Sequence, residues 1–328
     1  MRLLSVIIPV RNEERRLGAL IRAFSTQDLS QCELLFVDDG STDASCKILS
    51  DAISSGRISA KLICQTCRGV GAARNIALSA ASGEYVSFVD ADDAISPNYV
   101  SRMCFWACQG RDINLFSHTR CVQSAPSFAS PAKKPGKTTP DALSNALLRN
   151  PTRFGIYDFL IRRELITQAG LTFPEGYPYY EDYDFILHAL QAAKTAVETG
   201  ECVYCYQATA GSAMSIFNTE RLRCLELFQE NRSLYLKRSP FYEDFRRWFC
   251  ARLYWSVLWQ ACQCMTAGDA WTFAKSTDAG KWMRKLLRYP DVRVAFSAAT
   301  YLVSPRAYIF FMKLLGNGRT LLSAGKDT

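Results

Sequence analysis

The chain has 328 residues, 48% hydrophobic and 21% charged, a composition that excludes a disordered chain, a fibre and a small disulfide-stapled scaffold, and a length that predicts about two domains. Thirteen cysteines, an odd number, and a short apolar start at Leu3–Val10 that reads as a strand rather than a leader point to a reducing cytoplasm. The two histidines, His118 and His188, are too few for a multi-histidine metal centre, and the net charge of +8 is uneven: residues 220–328 hold 18 Lys and Arg against 9 Asp and Glu, whereas residues 1–219 are close to neutral.

Strand and helix patterns alternate from the start. Leu3–Pro9 is a near-continuous apolar run, the mark of a strand covered on both faces. Asn12 is a candidate cap for a helix in which Leu17, Leu20, Ile21 and Phe24 recur at helical spacing. Leu34–Val37 ends in Asp38-Asp39-Gly40, and Ser41, Thr42 and Asp43 offer caps for the next helix. A short strand at Leu62–Cys64 leads through Gly69-Val70-Gly71 into an Ala-rich helix around 72–81. Tyr85–Val89 reads as a strand ending in Asp90-Ala91-Asp92-Asp93, Ser96-Pro97 as a helix start, and Ile113–Phe116 as a further strand. Residues 122–140, with four prolines among Ser, Lys and Gly, read as a loop. Order resumes at Ala142–Leu148 and Tyr157–Ile161, and beyond Glu220 the pattern is helical and rich in aromatics.

This alternation predicts an α/β fold, a Rossmann-like, mostly parallel sheet over residues 1–219, with a helical, basic, aromatic-rich region at 220–328. Ligands of such sheets bind beyond the carboxyl ends of the strands, where both acidic clusters fall. Asp90, Asp92 and Asp93 would repel one another in a shared site unless a hard divalent cation sat among them. On a strand end, Asp90 and Asp92 would point to one side. Mg²⁺ typically combines one or two carboxylates with substrate phosphates, so the other ligand is expected to be a nucleotide diphosphate. Arg74 replaces the third glycine of a dinucleotide GxGxxG and instead offers a phosphate partner in the first turn of a helix. The pairs Cys64-x-x-Cys67 and Cys202-x-x-Cys205 lie too far apart for a zinc ribbon, and apolar flanks suit packed thiols. Glu181-Asp182 begins a helical pattern, where the macrodipole favours a carboxylate able to take a proton from a hydroxyl.

Five segments, in order, resemble the family 2 glycosyltransferases of the GT-A fold: Ser5–Asn12 (SVIIPVRN), Val37–Asp43 (VDDGSTD), Gly71–Asn75 (GAARN), Gly83–Asp93 (GEYVSFVDADD) and Glu181–Phe185 (EDYDF). The resemblance covers about residues 1–215. It implies transfer of a sugar from a nucleotide-sugar donor, usually a UDP-sugar, with inversion, to a saccharide or lipid-linked acceptor in cell-surface polysaccharide biosynthesis. Pro9, Val10 and Asn12 would line the base and ribose pocket. Asp39, or failing it Asp38, would accept the uracil imide. Arg74 would sit near the diphosphate, Asp90 near the ribose, Asp92 and Asp93 at Mn²⁺ or Mg²⁺, and Asp182 would be the general base with Glu181 supporting the acceptor. Gly211–Ser215 matches a small polar stretch near the acceptor end in many relatives. Arg11 departs from the pattern by standing where an aromatic often stacks on the base. The alternative in another class is a nucleotide-sugar-binding or scaffold protein of the same fold without turnover. For residues 220–328, an interfacial helix with a basic face towards anionic lipids, on the inner face of the plasma membrane, stands beside a plain helical cap. No nucleic-acid partner is expected.

Overall fold

A computed structural model describes residues 2–121, 126–128, 134–150, 153–207, 217–229 and 248–324, with side chains as far as residue 315. The chain divides into two compact units: residues 1–144 with 152–215, and residues 145–151 with 216–328.

The first unit opens with strand β1 (Leu4–Val10), helix α1 (Leu17–Ser25), β2 (Cys32–Asp39), α2 (Ser45–Ser54), β3 (Ala60–Gln65), α3 (Val70–Ala80), β4 (Tyr85–Phe88), β5 (Ala94–Ile95), α4 (Tyr99–Ala107) and β6 (Ile113–Cys121). There follow β7 (Gly136–Thr138), α5 (Pro140–Arg149, which continues into the second unit), β8 (Phe159–Arg162), α6 (Arg163–Gln168), α7 (Glu181–Ala192) and β9 (Ala196–Gln207). Together the strands form one sheet in the order β3-β2-β1-β4-β8-β6-β9-β5, with β7 also on β9. β3, β2, β1 and β4 are parallel. β8 is antiparallel to both its neighbours, and β5 and β7 are antiparallel to β9, so the sheet is parallel where the sequence alternates and mixed beyond.

Burial follows pattern. β1 and β2 are apolar on both faces because helices cover both. Leu4, Val6, Ile8 and Val10 join Phe36, the α1 residues Leu17, Leu20, Ile21 and Phe24, and Tyr99 and Met103 of α4 in one core. On the other face Phe88 meets the rings of Phe173 and Phe185 at 5.5 and 6.0 Å. Edge strand β3 is only partly buried.

Several local expectations need correction. Asn12 caps no helix: α1 starts at Leu17 with Arg16 in the cap position, and Asn12 lies in the left-handed region (φ 56°). The cap positions of α2 and α4 are Ala44 and Asn98 rather than Ser41–Asp43 and Ser96, although the Asp43 side chain still accepts from Ser45 N–H. Residues 136–138 of the expected loop form β7, because the edge of β9 supplies the pairing that the local sequence does not signal.

In the second unit a short 3₁₀ turn leads to α8 (Arg223–Gln229), and after the undescribed 230–247 come α9 (Cys250–Cys264), α10 (Ala267–Ser276), α11 (Ala279–Leu286), α12 (Val292–Val303) and α13 (Pro305–Ala324). Trp255 of α9 donates to Ser297 of α12 (2.8 Å), and Tyr254 stacks on Trp282 of α11. Pro305 stops α12 and starts α13, a position where its missing N–H costs nothing. Val292, Phe296, Val303, Phe310, Phe311 and Leu315 of these two helices are exposed. Among the described residues no helix is long and apolar enough to cross a membrane.

Candidate active site

β1, β2 and β4 run in parallel, so their carboxyl ends open on one edge of the sheet, and the predicted residues gather there. Pro9 is half-buried and Val10 buried at the end of β1. Beyond them Asn12 turns into the loop after β2: its Oδ1 accepts from Thr42 N–H (2.8 Å) and its N–H donates to Ser41 Oγ (3.0 Å). Glu14 and Asp43 exchange further bonds with the two loops, Ala44 N–H donating to Glu14 and Glu14 N–H to Asp43. These interlocked loops form one wall.

Asp38 and Asp39 are both buried, and alternation along β2 sends them to opposite faces of the sheet. Asp39 accepts from Gln65 Nε2 (2.6 Å), Arg68 N–H (2.8 Å) and Gly69 N–H (2.9 Å), and so fixes the path from β3 into α3. Asp38 accepts from Ser41 N–H through Oδ2 (3.2 Å); its Oδ1 is buried with no partner among the described residues.

Arg74 is not a surface arginine. It is 4% exposed and bridges two clusters, Glu181 at 2.7 Å and Asp90 at 3.0 Å. Glu181 and Asp182 stand in the first turn of α7, where Tyr180 in the left-handed conformation (φ 64°) directs the chain into the helix. The approach is enforced by backbone. A Cβ at Gly71 would lie 2.7 Å from the Pro174 carbonyl, so only glycine lets α3 come this close to the segment preceding α7. Residues about 90 apart in sequence are thus brought together around one guanidinium. Burial, the Glu181 charge beside it and, further off, Asp90 push the Asp182 carboxyl up to about 7, against the pull of Arg74. Glu181 is raised by burial, with Arg74 opposing.

The Asp90–Asp93 group lies just past β4. The strand stops at Phe88 and the chain turns, with Asp93 N–H donating to the Asp90 carbonyl (3.2 Å), so strand alternation does not set the directions of Asp90 and Asp92. Asp93 is buried beneath, accepting from Tyr204 Oη (2.6 Å) and Gln207 N–H (2.7 Å). Asp92 is partly exposed and pairs with Arg16 (3.1 Å), which also meets Glu13 (3.3 Å). Burial and the mutual repulsion of the aspartates push Asp92 to about 6 and Asp93 to about 8. Burial, with Asp92 next, lifts Glu13 to about 7. Burial first, and then the neighbouring negative charges, thus favour the protonated forms here, and a nearby positive charge would oppose that tendency.

Sequence reasoning missed Glu13, Arg16 and Tyr204. Glu13 and Arg16 flank the Asn12 motif and carry charge beside it, a signal available in retrospect. Tyr204 has none, since it reaches Asp93 and the Asp90 N–H (3.1 Å) from β9, more than a hundred residues away. The Gly211–Ser215 stretch lies outside the described residues.

Residues 5–167 match the family model "Glycosyl transferase family 2". An uncharacterised glycosyltransferase of Bacillus subtilis, EpsJ, is 31% identical over 220 residues, which span 65% of this chain and 63% of that relative. Among solved structures, residues 1–349 of S. aureus TarS, crystallised with UDP-GlcNAc, cover 98% of this chain and 92% of that one at a TM-score of 0.65 and 20% identity. A mannosyltransferase of Pyrobaculum calidifontis, solved with GDP-Man and Mn²⁺, covers 96% and 87% at a TM-score of 0.51 and 17% identity. At these identities the two structures speak for the fold, and it is the GT-A fold. The chain belongs to the family 2 glycosyltransferases.

Proposed function

We propose that this protein transfers a sugar from a nucleotide-sugar donor to a saccharide or lipid-linked acceptor with inversion, in the synthesis of a cell-surface polysaccharide. The observation that carries the reading is the Arg74 bridge, which ties Asp90 to Glu181 in the first turn of α7. The family relatives, and the donors in the TarS and mannosyltransferase complexes, support a nucleotide sugar, with a UDP-sugar the first to test.

Pro9, Val10 and Asn12 line the nucleoside side, and Asp39 serves the base from the wall it shares with Arg68 and Gly69; Asp38 faces the other way. Asp90 lies towards the ribose, and Arg74 towards the diphosphate. The carboxylate-only donor set of Asp92 and Asp93 suits a hard cation, Mn²⁺ or Mg²⁺. Asp92 is the partly exposed ligand and would exchange its pair with Arg16 for the cation, and Asp93 would give up a bond to Tyr204 or Gln207 to share it. When bound, the metal supplies positive charge against the negative charge growing on the departing nucleotide diphosphate. Asp182 removes the acceptor hydroxyl proton as that oxygen bonds to the anomeric carbon and the bond to the diphosphate breaks. Glu181 steadies the acceptor side and restrains Arg74. The basic second unit, with exposed apolar residues on α12 and α13, supports a place on the inner, anionic face of the plasma membrane.

The test is release of nucleoside diphosphate from a panel of UDP- and GDP-sugars by the full chain with Mn²⁺. Asp182→Asn should keep donor affinity, read by calorimetry, and lose about 10²–10⁴-fold of the release rate. Full turnover in Asp182→Asn refutes the base assignment. Binding without release in the unaltered chain identifies a non-catalytic nucleotide-sugar binder instead.

A further inference from the structure

A second group of metal-ligating side chains lies on the opposite face of the sheet from Asp39. Asp38 of β2 stands beside Cys64 of β3 in the strand register, and Cys46, in the first turn of α2, packs over them. One ligand atom from each, Asp38 Oδ and the two sulfurs, lies within 4.8 Å of the others. The sulfurs are 3.7 Å apart. Two thiolates on a tetrahedral Zn²⁺, each at about 2.3 Å, stand about 3.8 Å from one another.

The independent observation is Asp38 itself. The residue is 4% exposed, and its Oδ1 is buried and without a hydrogen-bond donor among the described residues. A buried carboxylate oxygen left unpaired is expensive, and native structures rarely tolerate one without a ligand, ion or water. The sequence pairs Cys64 with Cys67 by spacing, but the fold pairs it with Cys46, from a different element.

We propose that Asp38, Cys46 and Cys64 bind a thiophilic divalent cation, Zn²⁺, in a site separate from the donor cleft. Soft thiolates select Zn²⁺ over Mg²⁺ or Mn²⁺, which the all-carboxylate group at Asp92 suits. Three protein ligands leave a fourth position for water, and Cys64 is exposed on that side. Occupancy ties α2 to β2 and β3 directly behind Asp39. The site does not depend on the glycosyl-transfer reading.

The experiment is a Co²⁺ titration of the reduced, chelator-treated full chain. The expected result is a near-ultraviolet thiolate-to-cobalt band that saturates at one equivalent and is displaced by one equivalent of Zn²⁺. Cys46→Ser and Cys64→Ser should each abolish it, and Cys67→Ser and Cys264→Ser should leave it intact. Asp182→Asn should also leave it intact, which separates this result from any failure of the catalytic assignment. Absence of the band, or its persistence in the Cys46→Ser/Cys64→Ser double variant, overturns the proposal. A measurement that needs no variant is alkylation followed by peptide mass spectrometry. Zn²⁺ should slow labelling of Cys46 and Cys64 at least tenfold and leave Cys67 unaffected; equal labelling with and without Zn²⁺ overturns it.

Discussion

Glu33→Gln tests how the parallel strands are held together at the end of the sheet away from the cleft. Glu33 is 6% exposed within β2. It accepts from Ser5 Oγ of β1 (2.5 Å), from Ser82 N–H (2.6 Å) and Ser82 Oγ (2.9 Å) just before β4, and from Arg2 (2.7 Å). Gly83 N–H reaches Ser5 Oγ at 2.9 Å, and a Cβ on Gly83 would lie 2.6 Å from the Ser5 nitrogen, so no larger residue fits. Burial works to raise the Glu33 carboxyl, but these donors outweigh it and bring the value from 4.5 down to about 2. A depressed carboxylate stabilises the fold above its unfolded value and loses that contribution as pH falls through the folded one. At 1.36 kcal/mol per unit, the difference amounts to about 3 kcal/mol at pH 6 and falls to roughly half by pH 3. Urea unfolding of the wild type and of Glu33→Gln, followed by far-ultraviolet circular dichroism from pH 3 to 7, reads both quantities. A difference below about 1 kcal/mol at pH 6, or one that does not shrink as pH falls, would refute the reasoning.

Other outcomes follow from the same geometry. With Asp182 raised to about 7, transfer needs it ionised, so kcat/KM should climb about tenfold from pH 6 to pH 8; a profile flat over that range excludes Asp182 as the base. Arg74→Met leaves Glu181 buried without its cation and should cost about 3–5 kcal/mol in urea unfolding, and a loss under about 1 kcal/mol would show the bridge to be dispensable. Phe296→Asp with Phe310→Asp should lower the fraction of full chain that sediments with phosphatidylglycerol vesicles while leaving donor turnover in solution unchanged; equal sedimentation argues for a plain helical cap.

The parts of the site legible in sequence were those written as local chemistry. Asp38-Asp39 ends an apolar run, Asp90–Asp93 follows another, and Glu181-Asp182 precedes a helical period, so each could be set at a strand or helix end from its immediate neighbours. The partners of these residues were not legible, because pairing across the sheet depends on register. That Asp39 would be occupied by Gln65, Arg68 and Gly69, or that Asp93 would turn down to Tyr204, depends on β2 lying beside β3 and β5 beside β9. Arg74 reads from the sequence as a phosphate partner in the first turn of a helix, and its pairing with Glu181 and Asp90 has no local signal. Its burial comes from the close packing of α3, and helical periodicity alone does not reveal the two carboxylates it meets. Strand alternation misplaced Asp90 and Asp92 because β4 ends two residues before the first of them.

The glycine at position 71 has a consequence for evolution in this chain. Backbone presses on backbone there, so the spacing between α3 and the segment that leads into α7 is set by main-chain atoms that no rotamer change can move. Lineages altering the sugar transferred would therefore leave this spacing fixed and vary the rim, whereas any side chain introduced at the pinch would disable every donor alike.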